Sequence, residues 1–215
     1  MITQLKNIYK TIAGKGRAQR WAWGNSDRPL PVYVAPMSTG LKVHLGSGPI
    51  NMQGWINVDA RSYEHVHLVS DGFELREFAD GAIAEIYLCH VLEHFSFEEA
   101  EALLKCLKVK LCQGGVIRIS VPSFDRLIDV YKLSDSDINK VKFALMGGQD
   151  YQYNFHKSLY NLKSLRELLV HCGFSNILEW ETLTDFGVNL GDWSNGTFTT
   201  KQGAMPISLN LKGIN

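Results

Sequence analysis

The residues best equipped for chemistry fall into a few short stretches. Leu41-Lys42-Val43-His44-Leu45-Gly46-Ser47-Gly48 is an apolar run that ends in a Gly-x-Gly turn, and Gly54-Trp55-Ile56-Asn57-Val58-Asp59 is a second run that ends in a carboxylate. A glycine turn lets backbone N–H groups approach a ligand because no Cβ intervenes. A carboxylate at the tip of the neighbouring strand accepts hydrogen bonds from a ribose diol. Together they describe half of a nucleoside pocket at the carboxyl edge of a parallel sheet. Further along, His90-Val91-Leu92-Glu93-His94 combines two imidazoles with a carboxylate, and His156 stands in the polar-aromatic segment 151–160. Histidine changes charge near neutral pH, so His94 and His156 are candidate general bases. Each also has a plain structural alternative, His94 at the start of a short helix and His156 packed under a loop. His-x-x-Glu-His is in addition the inverted zinc-peptidase signature. That reading needs one continuous helix and a third ligand. His90 directly follows a predicted strand and belongs at its tip, so no residue is assigned to a metal.

The elements that must carry these groups alternate in type. Strands are expected at 41–46, 55–59, 66–70, 84–89 and 116–121, each short, apolar and bounded by turn residues. The clearest helix spans 97–111. Ser96 and Glu99 form a capping box, glutamates crowd its start and lysines its end, and Ala100, Leu103, Leu104, Leu107 and Leu111 make one apolar stripe. Further helices are expected from Ser123, near 137–146, and from Asn161 to Gly173. After that the alternation changes. A strand at 176–182, a Gly/Asp/Asn/Thr-rich loop over 184–203 and a last strand at 206–211 predict an antiparallel pair. The expected fold is α/β, a doubly wound seven-stranded, mostly parallel sheet with one antiparallel strand near the C-terminus.

A dinucleotide fingerprint would need Gly-x-Gly-x-x-Gly opening a full helix. Here Pro49 follows the second glycine, Asn51 occupies the third glycine position, and only 49–54 separate the turn from the next strand. The motif order instead resembles the class I S-adenosylmethionine-dependent methyltransferases, in particular the small bacterial enzymes associated with glycan biosynthesis. The likeness covers most of 41–211. Val43–Gly48 is similar to the first cofactor motif and Gly54–Asp59 to the second. Asp71-Gly72 is similar to the segment that approaches adenine, and Ile86–Phe95 to the fourth strand with its Leu-Glu-His turn. Leu111-Cys112-Gln113-Gly114-Gly115-Val116 is similar to the turn before the fifth strand, with Gln113 where the family has proline. Phe155–Tyr160 and Cys172-Gly173-Phe174 match its later part. The family usually has an acidic residue where His44 stands.

The resemblance implies S-adenosyl-L-methionine as cofactor, held by His44, Leu45, Gly46, Ser47, Gly48, Asp59 (the ribose acid), Asp71, Gly72, Cys89 and His90. It implies methyl transfer, here expected to an oxygen of a small molecule or saccharide. Two alternatives come from other classes: a zinc hydrolase using His90, Glu93 and His94, and a non-catalytic nucleoside-binding module.

Bulk properties fit one methyltransferase domain over 41–215 behind an N-terminal extension, 1–40, that is punctuated by Pro29, Pro31, Pro36 and Gly40. Lys plus Arg and Asp plus Glu balance at 22 each, which argues against a nucleic-acid partner. No apolar run approaches the ~20 residues of a membrane span. Cys89, Cys106, Cys112 and Cys172 form no Cys-x-x-Cys pair, so a reducing, cytoplasmic setting without disulfides is expected. The first 28 residues are locally basic, read as a short solvated helix packed on the domain or as a contact surface for an acidic partner or a membrane face, and a homodimer is the expected assembly.

Overall fold

A computed structural model of the protein describes residues 40–215 apart from Gly72. The extension over 1–39 and its basic segment therefore lie outside the described residues. The chain runs β1 (Leu41–Leu45), β2 (Ile56–Asp59), β3 (Leu68–Val69), β4 (Ile83–Cys89), α1 (Phe97–Lys110), β5 (Leu111–Pro122), α2 (Phe124–Leu133), α3 (Lys142–Met146), α4 (Leu162–His171), β6 (Ser175–Glu179), α5 (Thr182–Phe186), β7 (Thr197–Thr200), β8 (Gly203–Pro206) and β9 (Ser208–Ile214). Seven strands form one sheet in the order β3-β2-β1-β4-β5-β9-β6. Strands β1 to β5 pair in parallel, while β9 runs antiparallel to both β5 and β6. The expected α/β sheet with one reversed strand near the C-terminus is what forms. No helix among the described residues is long and apolar enough to cross a membrane.

The two faces of the sheet differ in chemistry because side chains alternate along each strand. One row, Leu45–Leu88–Ile119–Leu211, crosses four strands in register and is fully buried. It packs with Leu103, Leu104 and Leu107 of α1 and Leu165 and Leu169 of α4 in the main core. Burying each of these side chains contributes about 1.5–3 kcal/mol relative to exposure. Helix α1 starts as expected: Ser96 Oγ accepts from Glu99 N–H at 3.2 Å and Glu99 Oε2 accepts from Ser96 N–H at 2.8 Å. The neighbouring row on the opposite face, His44–Tyr87–Arg118–Lys212, is polar or amphipathic throughout.

That second face is covered in an unusual way. The β1–β2 connection, residues 46–55, has no helix. Its Met52 and Trp55 instead form an apolar plug with Tyr87 and Trp180, joined by Phe186 of α5. The aromatic rings meet at tilted or edge-on angles, with Tyr87 5.2 Å from Phe186 and 5.7 Å from Trp180, geometries favoured by the ring quadrupole. Beside the plug, Glu85 pairs with Lys42 at 3.1 Å and with Arg118 at 2.6 Å, and Asp185 of α5 neutralises Arg118 and Lys212. The stretch 184–203, expected as a long loop, is more ordered than that. It holds the end of α5, a 3-10 turn at Trp193–Asn195 and β7, which pairs antiparallel with β8. Likewise 137–146 is a 3-10 turn followed by the five-residue α3 rather than one helix.

Candidate active site

A cavity of about 780 Å³ lies beyond the carboxyl ends of β1, β2 and β4. His44, Gly46, Ser47, Gly48, Asp59, Asp71, Cys89, His90, His94 and His156 all line it. Leu45 does not: its side chain is fully buried in the main core, where the pleat directs it away from the face that carries His44. Gly72 lies outside the described residues.

The β1 and β2 tips are locked to each other. Gly46 N–H and Ser47 N–H both donate to Val58 O, at 2.8 and 3.0 Å. Gly48 N–H donates to Asp59 Oδ2 at 2.7 Å, and Arg61 N–H to Asp59 Oδ1 at 2.7 Å. Each carboxylate oxygen thus keeps a lone pair for a further donor. Gly46 has φ +70°, and a Cβ there would fall 2.3 Å from Val91 Cγ2. At Gly48, φ +52°, an added Cβ would meet nothing within 4 Å. The turn therefore needs glycine at the first position for space and conformation, and at the second for conformation. Two polar atoms at this tip are buried and unpartnered, Ser47 Oγ and His44 Nδ1. His44 stacks on Tyr87 at 5.1 Å, and burial, partly opposed by Asp192 and Asn57, lowers its pKa to about 4. At neutral pH it carries no charge.

The β4 tip brings the second constellation into place. His90 has a left-handed φ of +53°, a conformation that costs a non-glycine residue of order 1–3 kcal/mol. Its N–H is held by Ser120 O at 2.8 Å. Ser208 Oγ donates to Trp193 O at 2.6 Å and so accepts from His90 Nε2 at 2.8 Å, which leaves His90 Nδ1 bare. The following residues form a 3-10 turn, Leu92–His94. His90 and His94 therefore do not share a face of one helix, and the inverted zinc-peptidase arrangement is not formed. Instead, Lys157 N–H and Ser158 N–H both donate to Glu93 O, at 2.8 and 3.2 Å, which docks the 155–160 segment on the turn. The docking sets His156 beside His94, their rings 4.8 Å apart and edge-on. His156 Nδ1 donates to Ala144 O at 3.0 Å, leaving Nε2 bare, 3.9 Å from Glu93 Oε1. Burial and the neighbouring His94 lower the His156 pKa to about 4. Burial, with His156 and His94, lowers that of His90 to about 3.

The remaining wall joins Tyr151 and Tyr153, expected from the sequence to shape an acceptor pocket, with Arg61 and Asp192, which the sequence did not single out. Arg61 lies between the rings of Tyr63 and Tyr151, at 5.0 and 4.7 Å. Tyr153 donates to Asp71 Oδ2 at 3.3 Å. The loop that carries these tyrosines turns at Gly147, φ +77°, where a Cβ would fall 2.4 Å from Asn154 O. Asp192 reaches the cavity from the far end of the chain and accepts from Tyr87 Oη at 2.6 Å. Its only sequence signal is a helix-capping pattern, Asp192-Trp193-Ser194. Glu93, read from sequence as part of a zinc motif and of the Leu-Glu-His turn but given no role of its own in methyl transfer, is almost completely buried, and burial pushes its pKa up to about 8.

No family model and no curated protein matches the chain. Solved structures do match. An S-adenosylmethionine-dependent methyltransferase from Archaeoglobus fulgidus aligns with a TM-score of 0.50 at 17% identity, over 83% of this chain and 87% of that one. A possible exported protein from Bordetella parapertussis aligns with a TM-score of 0.52 at 10% identity, over 85% and 63%. The 1,6-didemethyltoxoflavin-N1-methyltransferase of Burkholderia thailandensis, solved with 1,6-didemethyltoxoflavin and S-adenosylhomocysteine, aligns with a TM-score of 0.48 at 13% identity, over 82% and 71%. Identities this low speak to fold alone. Strand order, the reversed β9 and the likeness to the Archaeoglobus structure give the chain the Rossmann-like α/β fold of S-adenosylmethionine-dependent methyltransferases.

Proposed function

We propose that the chain is an S-adenosylmethionine-dependent methyltransferase whose acceptor is an oxygen of a small molecule or a saccharide. The observation that carries this reading is the locked pair of strand tips. Asp59 is held by Gly48 N–H at 2.7 Å beside a cavity of about 780 Å³, with lone pairs left for a ribose diol. The unpartnered Ser47 Oγ and His44 Nδ1 at the same tip fit a ligand that brings its own polar groups. The low pKa values of His44 and His90 keep cationic charge away from a ligand that is itself positive. When bound, the cofactor supplies a methyl group activated by a sulfonium. The protein's part is alignment, because an in-line displacement depends on the acceptor being held at attack distance.

The acceptor side of the cavity supports an oxygen nucleophile. His156 Nε2 is bare and can take a hydroxyl proton, and His94 stands against it. Tyr151, Tyr153, Phe155 and Trp193 present ring faces suited to a sugar. In the same reading residues 41–215 are the catalytic domain, the protein pairs as a homodimer, no nucleic acid takes part, and the setting is cytoplasmic. Calorimetric titration of the full chain with S-adenosylhomocysteine tests the cofactor. Saturable binding is expected, weakened at least about tenfold in Asp59→Ala, which corresponds to loss of about 1.4 kcal/mol. No heat at high micromolar ligand would overturn the reading.

A further inference from the structure

Glu93 poses a problem that methyl transfer alone does not solve. Its carboxylate is almost completely enclosed, and neither oxygen accepts a hydrogen bond from another residue. Buried carboxylates normally have partners. The groups around this one bring lone pairs instead of protons. His90 Nδ1, bare because Nε2 donates to Ser208, lies 3.5 Å from Glu93 Oε1. His156 Nε2, bare because Nδ1 donates to Ala144 O, lies 3.9 Å from the same oxygen. His94 Nδ1 faces Phe155 O at 3.3 Å, and the backbone of His90 also lies within hydrogen-bonding reach of the ring. A proton on Glu93 would find no acceptor among these nitrogens at the roughly 2.7–3.0 Å of a good hydrogen bond.

One occupant satisfies the carboxylate and the imidazoles together. We propose that Glu93, His94 and His156 bind a divalent first-row transition-metal ion at the acceptor end of the cavity. One donor atom from each of the three lies within 4.8 Å of the others. Two ligands of a tetrahedral ion, each about 2.0–2.2 Å from it, lie about 3.3–3.6 Å apart. Side-chain rotation that draws the three donors together by up to about 1.5 Å closes the set. Two imidazoles and one carboxylate form a ligand set used by such ions with positions left open for substrate. The outer contacts agree: a metal-binding histidine usually donates its other ring nitrogen to a carboxylate or backbone carbonyl. Ala144 O and Phe155 O occupy those places for His156 and His94.

The ion's part in catalysis rests on the methyltransferase reading; the site itself does not. His94 and His156 line the cavity, so an acceptor hydroxyl there takes an open ligand position and becomes more acidic. Its proton leaves to water at the cavity mouth. The oxygen–methyl bond forms as the methyl–sulfur bond breaks, and the bonding pair stays on sulfur. With the ion bound, His94 and His156 act as its ligands, and this role replaces the proton-accepting one given to His156 Nε2 in its absence.

Cobalt(II) is the probe, added to the full chain after chelator treatment and followed by its visible absorption. One equivalent is expected to bind with a defined ligand-field spectrum and to be displaced by zinc. Glu93→Gln and, separately, His94→Gln, each checked for a native circular-dichroism spectrum, should weaken binding. The loss should exceed the roughly 10–100-fold seen when only an outer partner is removed. Titration with S-adenosylhomocysteine in the same preparations separates the two readings. Cobalt binding without nucleoside binding leaves the metal site standing and removes the methyltransferase. Nucleoside binding with no saturable cobalt uptake, or with uptake equal in both variants, overturns the metal site.

Discussion

Replacing Glu93 by Gln in chelator-treated protein should stabilise it, and increasingly so as pH rises. The carboxylate is buried without a hydrogen-bond donor, and burial moves its pKa from 4.5 to about 8. Between those values the unfolded chain has released a proton that the native state retains. The native state then binds more protons, and its stability falls with rising pH. Each tenfold change in proton affinity is worth about 1.4 kcal/mol, so the full cost above pH 8 reaches a ceiling of about 5 kcal/mol. Between pH 6 and pH 8.5 the wild type should lose about 2–3 kcal/mol relative to Glu93→Gln. For a chain of this size that is a relative shift of about 5–10 °C in melting temperature. Thermal melts of both proteins at the two pH values, with chelator present, measure it. Parallel pH dependence in the two proteins would refute the claim that Glu93 is buried without a partner. Returning a divalent ion should reverse the wild-type trend, since ligation favours the ionised carboxylate.

Gly46→Ala should cost about 2–4 kcal/mol, combining a left-handed backbone with overpacking against Val91. Denaturant titration checks it, and adding Val91→Ala should recover only the packing part. Acid should unfold the chain early. The pKa values of His44, near 4, and His90, near 3, lie below the unfolded value of 6.5, so stability is full above that value and falls as pH drops toward 4. A melting temperature unchanged from pH 7 to 4.5 would contradict the burial of these rings as neutral groups.

The parts of the fold legible in the sequence are those set by local physics. The capping box of Ser96 and Glu99 involves residues three apart, and helix α1 forms where it marks a start. The Gly46-Ser47-Gly48 turn and Asp59 are separated by only a dozen residues, on adjacent strands whose apolar runs announce them. What escaped reading depends on distant partners. Asp192 looks like a loop residue until Tyr87, 105 positions earlier, donates to it. The stretch 184–203 reads as a loop because α5 is short and β7 is threonine-rich and half exposed. Phe186 finds its place only against the distant Trp55 and Tyr87, with Trp180 beside them. Glu93 was visible as a residue type, but its enclosure follows from two N–H groups at 157–158 that grip its carbonyl.

The aromatic plug beneath the first glycine turn also sets a timetable. Trp55 and Tyr87 are made early, while Trp180 and Phe186, which close over them, come near the end of the chain. Domains emerging from the ribosome can fold only with what has been synthesised. The β1–β2 side of the cavity, although encoded first, therefore stays unsealed on one side until residues 180–186 have been made. A chain stopped short of residue 180 would expose that apolar surface to other proteins, which makes premature termination a route to aggregation instead of to a smaller folded domain.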